Sequence, residues 1–177
     1  MRIGRELRKH QNLMIVCGRA TIILGVWAAL KAIIVVMSLE SDQLADYIHM
    51  EPGDITRAIR IAFIVMFVFF SFIVIWIHVR VGISAVYEAM EKKHRRYTVL
   101  AFVLLFSAIQ DIVNSVTGLV SKAKDILHGQ EPSVTADVNL ATLLVSLTFF
   151  YVIAQLIFSM HRTRKLRKML DLQGGEA

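Results

Sequence analysis

Four apolar runs, each long enough to cross a bilayer, constrain this chain more than any other feature. They cover residues 13–37, 58–79, 97–120 and 138–160. About 20 apolar residues in helical conformation span a hydrocarbon core of about 30 Å. No segment alternates apolar and polar residues as a membrane barrel wall must. Without water in the hydrocarbon, backbone N–H and C=O groups have to pair inside each segment, so the runs predict helices. Hydrophobic residues make up 56% of the 177 positions, more than a soluble domain can cover with polar surface. The expectation is an all-α integral membrane protein, with four transmembrane helices in one membrane domain over residues 1–177.

Charge sets the expected orientation. Residues 1–12 carry four Lys and Arg, residues 80–96 carry five, and residues 161–177 carry five. The alternate connections, 38–57 and 121–137, carry one and two, beside eight acidic residues between them. Basic segments stay cytoplasmic, so the chain reads N-in and C-in, a multi-pass protein of the cell membrane. The net charge of +6 therefore belongs to the membrane face and does not indicate nucleic acid. Arg162, Arg164, Lys165, Arg167 and Lys168 are expected to lie against anionic lipid headgroups. The first run is too long for a signal-peptide core and no small-x-small site follows it, so it is expected to stay as a span. Val16 before Cys17 also argues against a lipidated cysteine, and a single cysteine allows no internal disulfide.

A repeat runs through the sequence. Asp46, His49, Glu51 and Pro52 in the first outer connection answer to Asp125, His128, Glu131 and Pro132 in the second, and each set is followed by a threonine, Thr56 or Thr135. Lys9 and His10 answer to Lys93 and His94, and His78 to His161, so all six histidines pair at an offset of about 80 residues. A tandem duplication of a two-helix hairpin, residues 5–93 and 88–170, is the expected origin. Each half inserts the same way round, with the halves related about the membrane normal.

Charges and amides inside the spans are the candidate site, because an intramembrane charge costs about 2.5–3.5 kcal/mol on insertion scales and needs a partner, water or an escape route. Arg19 and Arg60 lie near span ends and can snorkel. Lys31 and Asp111 lie deeper. Ser107, Gln110, Asp111, Asn114, Thr117 or Gly118, and Ser121 recur at steps of three and four, a polar stripe along the third helix. An ion pair between Lys31 and Asp111 is expected, with Arg60 as the competing partner. Asn139, Thr142 and Ser146 form a second, shorter stripe on the fourth helix. The aromatic run 67–72 reads as lipid-facing or packing surface.

Other chemistries read less well. His49 and His128 with Asp46 and Asp125 could ligate zinc, but Glu-Pro at a helix start accounts for the same residues, and no metal is expected. His78 and His161 at equivalent span ends suggest a bis-histidine haem; Arg80 and Arg162 beside them point instead to interfacial anchoring, and no cofactor is expected. Nothing matches a nucleophile–base arrangement or a phosphate-cradling glycine loop, so no enzymatic chemistry is expected. The function expected is a transport or channel component built on Lys31, Arg60, Gln110, Asp111 and Asn114. The alternative is an accessory or scaffold subunit of a membrane complex, and a haem- or metal-binding membrane protein is a distant third. Its partners would be the lipid bilayer, a second copy of itself or another membrane protein.

Overall fold

A computed structural model describes residues 2–38, 57–91, 97–127 and 135–174. These form four helices: α1 (Arg2–Ser38), α2 (Arg57–Ala89), α3 (Thr98–Leu127) and α4 (Thr135–Gly174). Each is long and apolar enough to cross a membrane. None of the four contains a proline, the residue that breaks the backbone ladder.

The helices outrun their apolar segments. α1 has 37 residues and α4 has 40, about 55 and 60 Å at about 1.5 Å per residue. α1 starts 11 residues before its apolar run, α2 continues 10 residues past its run, and α4 continues 14 past its own. The segments added to α1 and α4 are rich in Arg, Lys, Glu and Gln, which are good helix formers, and that of α2 opens with Arg80. A charge therefore ends the apolar run without ending the helix.

The chain divides into two compact units, residues 1–21 with 81–177, and residues 22–80. In the first, α3 packs along α4. Ala101, Leu104 and Ala108 on α3 and Ile153, Leu156 and Met160 on α4 are buried at spacings of three, four and seven, the spacing with which one helix packs along another. Leu7, Met14 and Cys17 at the start of α1 are buried, and His10 stands edge-on to Phe158 of α4 at 5.9 Å between ring centroids. Gly18 lets α1 approach the last turns of α2: a Cβ there would stand 2.8 Å from the Gly82 carbonyl oxygen and 3.3 Å from the Ala85 Cβ. In the second unit, Gly25 faces His78, and Ala29, Val36 and Ser71 are buried. Most of α2 points outward there, including Ile61, Val65, Phe69, Phe70, Phe72 and Trp76.

α2 ends through a left-handed residue. The Met90 N–H donates to the Val86 carbonyl at 3.1 Å and the Glu91 N–H to the Glu88 carbonyl at 3.2 Å, and Glu91 has φ 66°. Glycine usually occupies this position, because a Cβ disfavours the left-handed region by about 1–2 kcal/mol. Glu91→Gly is therefore expected to raise stability by roughly 1 kcal/mol, measured as unfolding in detergent or bicelles. A loss of stability would mean that the Glu91 side chain outweighs its backbone strain.

Candidate functional site

The polar stripe of α3 lies off the packed face. Ser107, Gln110, Asp111, Asn114, Thr117 and Ser121 are exposed and Gly118 is half-buried, whereas Ala101, Leu104 and Ala108 are buried. At about 100° per residue, Asn114 stands about 120° around the helix from Ala108 and Gln110 about 160°. The apolar side of α3 thus forms the seam with α4, and the amides and the carboxylate look away from it. Thr117 satisfies its hydroxyl locally by donating to the Val113 carbonyl at 2.8 Å. On α4, Ser146 is buried and Thr142 half-buried; the Asn139 side chain lies outside the described residues.

Lys31 is half-buried and Arg60 exposed, both in the unit of residues 22–80, while Asp111 belongs to the other unit. Lys31, Arg60 and Asp111 each have an interaction partner. Arg19 is exposed. His78 is buried, with Nδ1 2.7 Å from the Val74 carbonyl, and His161 is exposed. The two histidines matched in sequence thus occupy different surroundings. Asp46, His49 and His128, with the side chain of Asp125, lie outside the described residues.

A second constellation, centred on Glu88, was not among the sequence expectations. Its carboxylate is 7% exposed and receives a forked pair of hydrogen bonds from Arg164, 2.6 Å from Nε to Oε1 and 2.8 Å from Nη2 to Oε2. Two-pronged guanidinium–carboxylate contacts are the strongest of charge-assisted bonds. Arg164 Nη1 also donates to Thr98 Oγ1 at 3.2 Å, and the Thr98 hydroxyl contacts Met160 Sδ at 3.7 Å. Arg167 Nη2 donates to the Glu88 carbonyl at 2.8 Å, serving the open carbonyl end of α2 where cations are favoured. The Tyr97 hydroxyl lies beside the Glu88 carboxylate but short of hydrogen-bonding geometry. One carboxylate thereby ties the end of α2 to the start of α3 and to α4.

The basic tail therefore divides. Lys165 and Lys168 are exposed. Arg162 approaches Glu6 at 3.9 Å, with both side chains largely exposed, a contact worth little on its own. Arg164 and Arg167 turn inward to Glu88. The sequence held one signal for this, two acids, Glu88 and Glu91, inside the segment 80–96 that is otherwise rich in Lys and Arg. Its partner 76 residues away could not be read from spacing.

Comparison with protein-family models, with characterised proteins and with solved structures returns no match.

Proposed function

We propose that this chain is a multi-pass protein of the cell membrane, N-in and C-in, that works as a subunit of an intramembrane assembly. Its α3 stripe faces the seam with a neighbouring chain, and the activity implied is passage of an ion or small polar solute along that seam. The observation carrying this reading is that Gln110 and Asn114 are exposed on α3 while the opposite side of the same helix is packed. In lipid, amides at this depth call for a polar neighbour. Amides both donate and accept, so the same stripe on a second copy is a complementary surface. The outward apolar residues of α2 suit contact with lipid.

Gln110→Leu with Asn114→Leu is expected to weaken self-association in bicelles roughly tenfold, read by energy transfer between labelled copies, while the monomer stays folded. A wild-type protein that is monomeric, or a variant that associates equally well, removes the stripe from the interface. The Lys31–Asp111 pair belongs to the same reading. A coupling energy near zero between Asp111→Asn and Lys31→Met would leave Arg60 or a partner subunit as the counter-charge.

An accessory or scaffold role is the second reading, favoured by the helical extensions of α1 and α4 beyond the bilayer thickness. Association with a different membrane protein, without self-association, supports it.

The duplication gains support from the packing register. Met14, Gly18, Thr21 and Gly25 are buried on α1, and the residues 83 positions later, Tyr97 just before α3 and Ala101, Leu104 and Ala108 on it, are buried too. Ser71, His78, Val81 and Ser84 on α2 correspond in burial to Ile153, Met160, Thr163 and Leu166 on α4, at an offset of 82. Met160 rather than His161 then takes the place of His78.

A further inference from the structure

Serine and threonine inside helices commonly satisfy their hydroxyls on the carbonyl four residues earlier. Thr21, Ser71, Thr117 and Thr148 do this, at 2.8 to 2.9 Å. Ser159 and Thr163 do not. Both are 0% exposed, and neither hydroxyl has a hydrogen-bond partner. Four residues further along α4, the Arg167 Nε is also buried without a partner. Steps of four set the three on one face of the helix, a row about 12 Å long. The Tyr97 hydroxyl, on a residue 2% exposed, is a further buried group without a hydrogen-bond partner; it lies beside the Glu88 carboxylate, with Arg164 and Arg167 next within electrostatic reach.

Charge selects what such a row would hold. The Glu88 carboxylate is occupied by the fork from Arg164, and Arg167 reaches only the Glu88 carbonyl. One carboxylate against two guanidiniums leaves a positive charge over, beside donors still unspent. A guanidinium, a phenol and a hydroxyl together suit an oxyanion with several acceptor oxygens. The row also begins where the apolar span of α4 gives way to its charged extension, the depth at which lipid phosphates lie.

We propose that Arg167, Thr163 and Tyr97 form a built site for a phosphate group, of a lipid headgroup or a free phosphate. This differs from diffuse attraction of a basic tail to a membrane, because specificity would reside in two uncharged hydroxyls and one arginine. It does not depend on the α3 stripe.

The test is thermal unfolding of the full chain in an uncharged detergent, titrated with inorganic phosphate or with dioctanoyl phosphatidic acid at matched ionic strength in chloride. A saturable rise in unfolding temperature is expected. Thr163→Val and Tyr97→Phe should each weaken the midpoint about tenfold, the loss of one charge-assisted hydrogen bond, and Arg167→Gln should abolish the response. Thr163→Val removes an unpartnered buried hydroxyl, so without phosphate it should fold at least as well as wild type. Lys165→Gln with Lys168→Gln removes two exposed charges and should move the midpoint less than about threefold. A response to the lipid alone assigns a headgroup site, and a response to both assigns a general phosphate site. The proposal is overturned if neither ligand gives a saturable shift. It is overturned equally if the lysine pair abolishes the response while Thr163→Val and Tyr97→Phe leave it intact.

Discussion

Replacing Arg164 by methionine is expected to destabilise the protein by about 2–4 kcal/mol, one of the two largest single effects predicted. Removing one partner of a buried pair typically costs about 3–5 kcal/mol, because the other charge stays desolvated. Here the Glu88 side chain is 7% exposed and that of Arg164 is 35%. Solvent around the guanidinium lowers the figure, and Arg167 stands close enough to supply part of the lost charge. Glu88→Gln should cost less, about 1–2 kcal/mol, since the amide keeps the shape and one acceptor oxygen. Combining the two replaces an ion pair by an amide and an apolar chain, and should recover part of the loss. Unfolding in bicelles across this double-mutant cycle measures the coupling. Strictly additive effects would show that the fork holds nothing beyond what each side chain contributes alone.

That pair marks where sequence reading stops. The four helices were legible because each carries an apolar run of bilayer length, and that signal needs no knowledge of neighbours. Their terminal-end extensions were not, because a basic residue ends a hydropathy run but favours continued helix. The Glu88–Arg164 contact joins residues 76 apart. Both lie in segments whose charge balance reads as interfacial, so Arg164 looked like one more headgroup contact. The α3 stripe was half legible. Steps of three and four fixed which residues share a face, but whether Gln110 and Asn114 look inward depends on where α4 packs, and α4 took the side of Ala101 and Ala108.

The two constellations also separate two tasks. The Glu88 cluster ties three helix ends together with charge-assisted bonds, and its variants should act first on stability. The stripe at Gln110 and Asn114 contributes little to the packing seen here, so its variants should act first on association. Measuring both quantities for each variant tests that separation.

Alanine at Gly25 is expected to destabilise by about 1–3 kcal/mol or more, against the usual preference of helices for alanine. A Cβ at residue 25 would overlap the Cβ and Cγ of His78 and stand 2.8 Å from its Cδ2. Those are the first atoms of the side chain, so changing the His78 rotamer cannot clear the overlap, and the Nδ1 contact with the Val74 carbonyl holds the ring as well. The helices would have to move apart, losing the close approach that small residues permit. Gly4 gives the opposite sign: nothing lies within 4 Å of a Cβ there, so Gly4→Ala should gain about 0.5 kcal/mol from helix propensity alone. His78→Ala in the Gly25→Ala background should rescue only partly, because its Cβ remains. His78→Gly should relieve the overlap further, at its own cost in helix propensity. Unfolding of these variants in one bicelle composition gives the ordering. A Gly25→Ala protein as stable as Gly4→Ala would mean that α1 and α2 do not meet at this glycine.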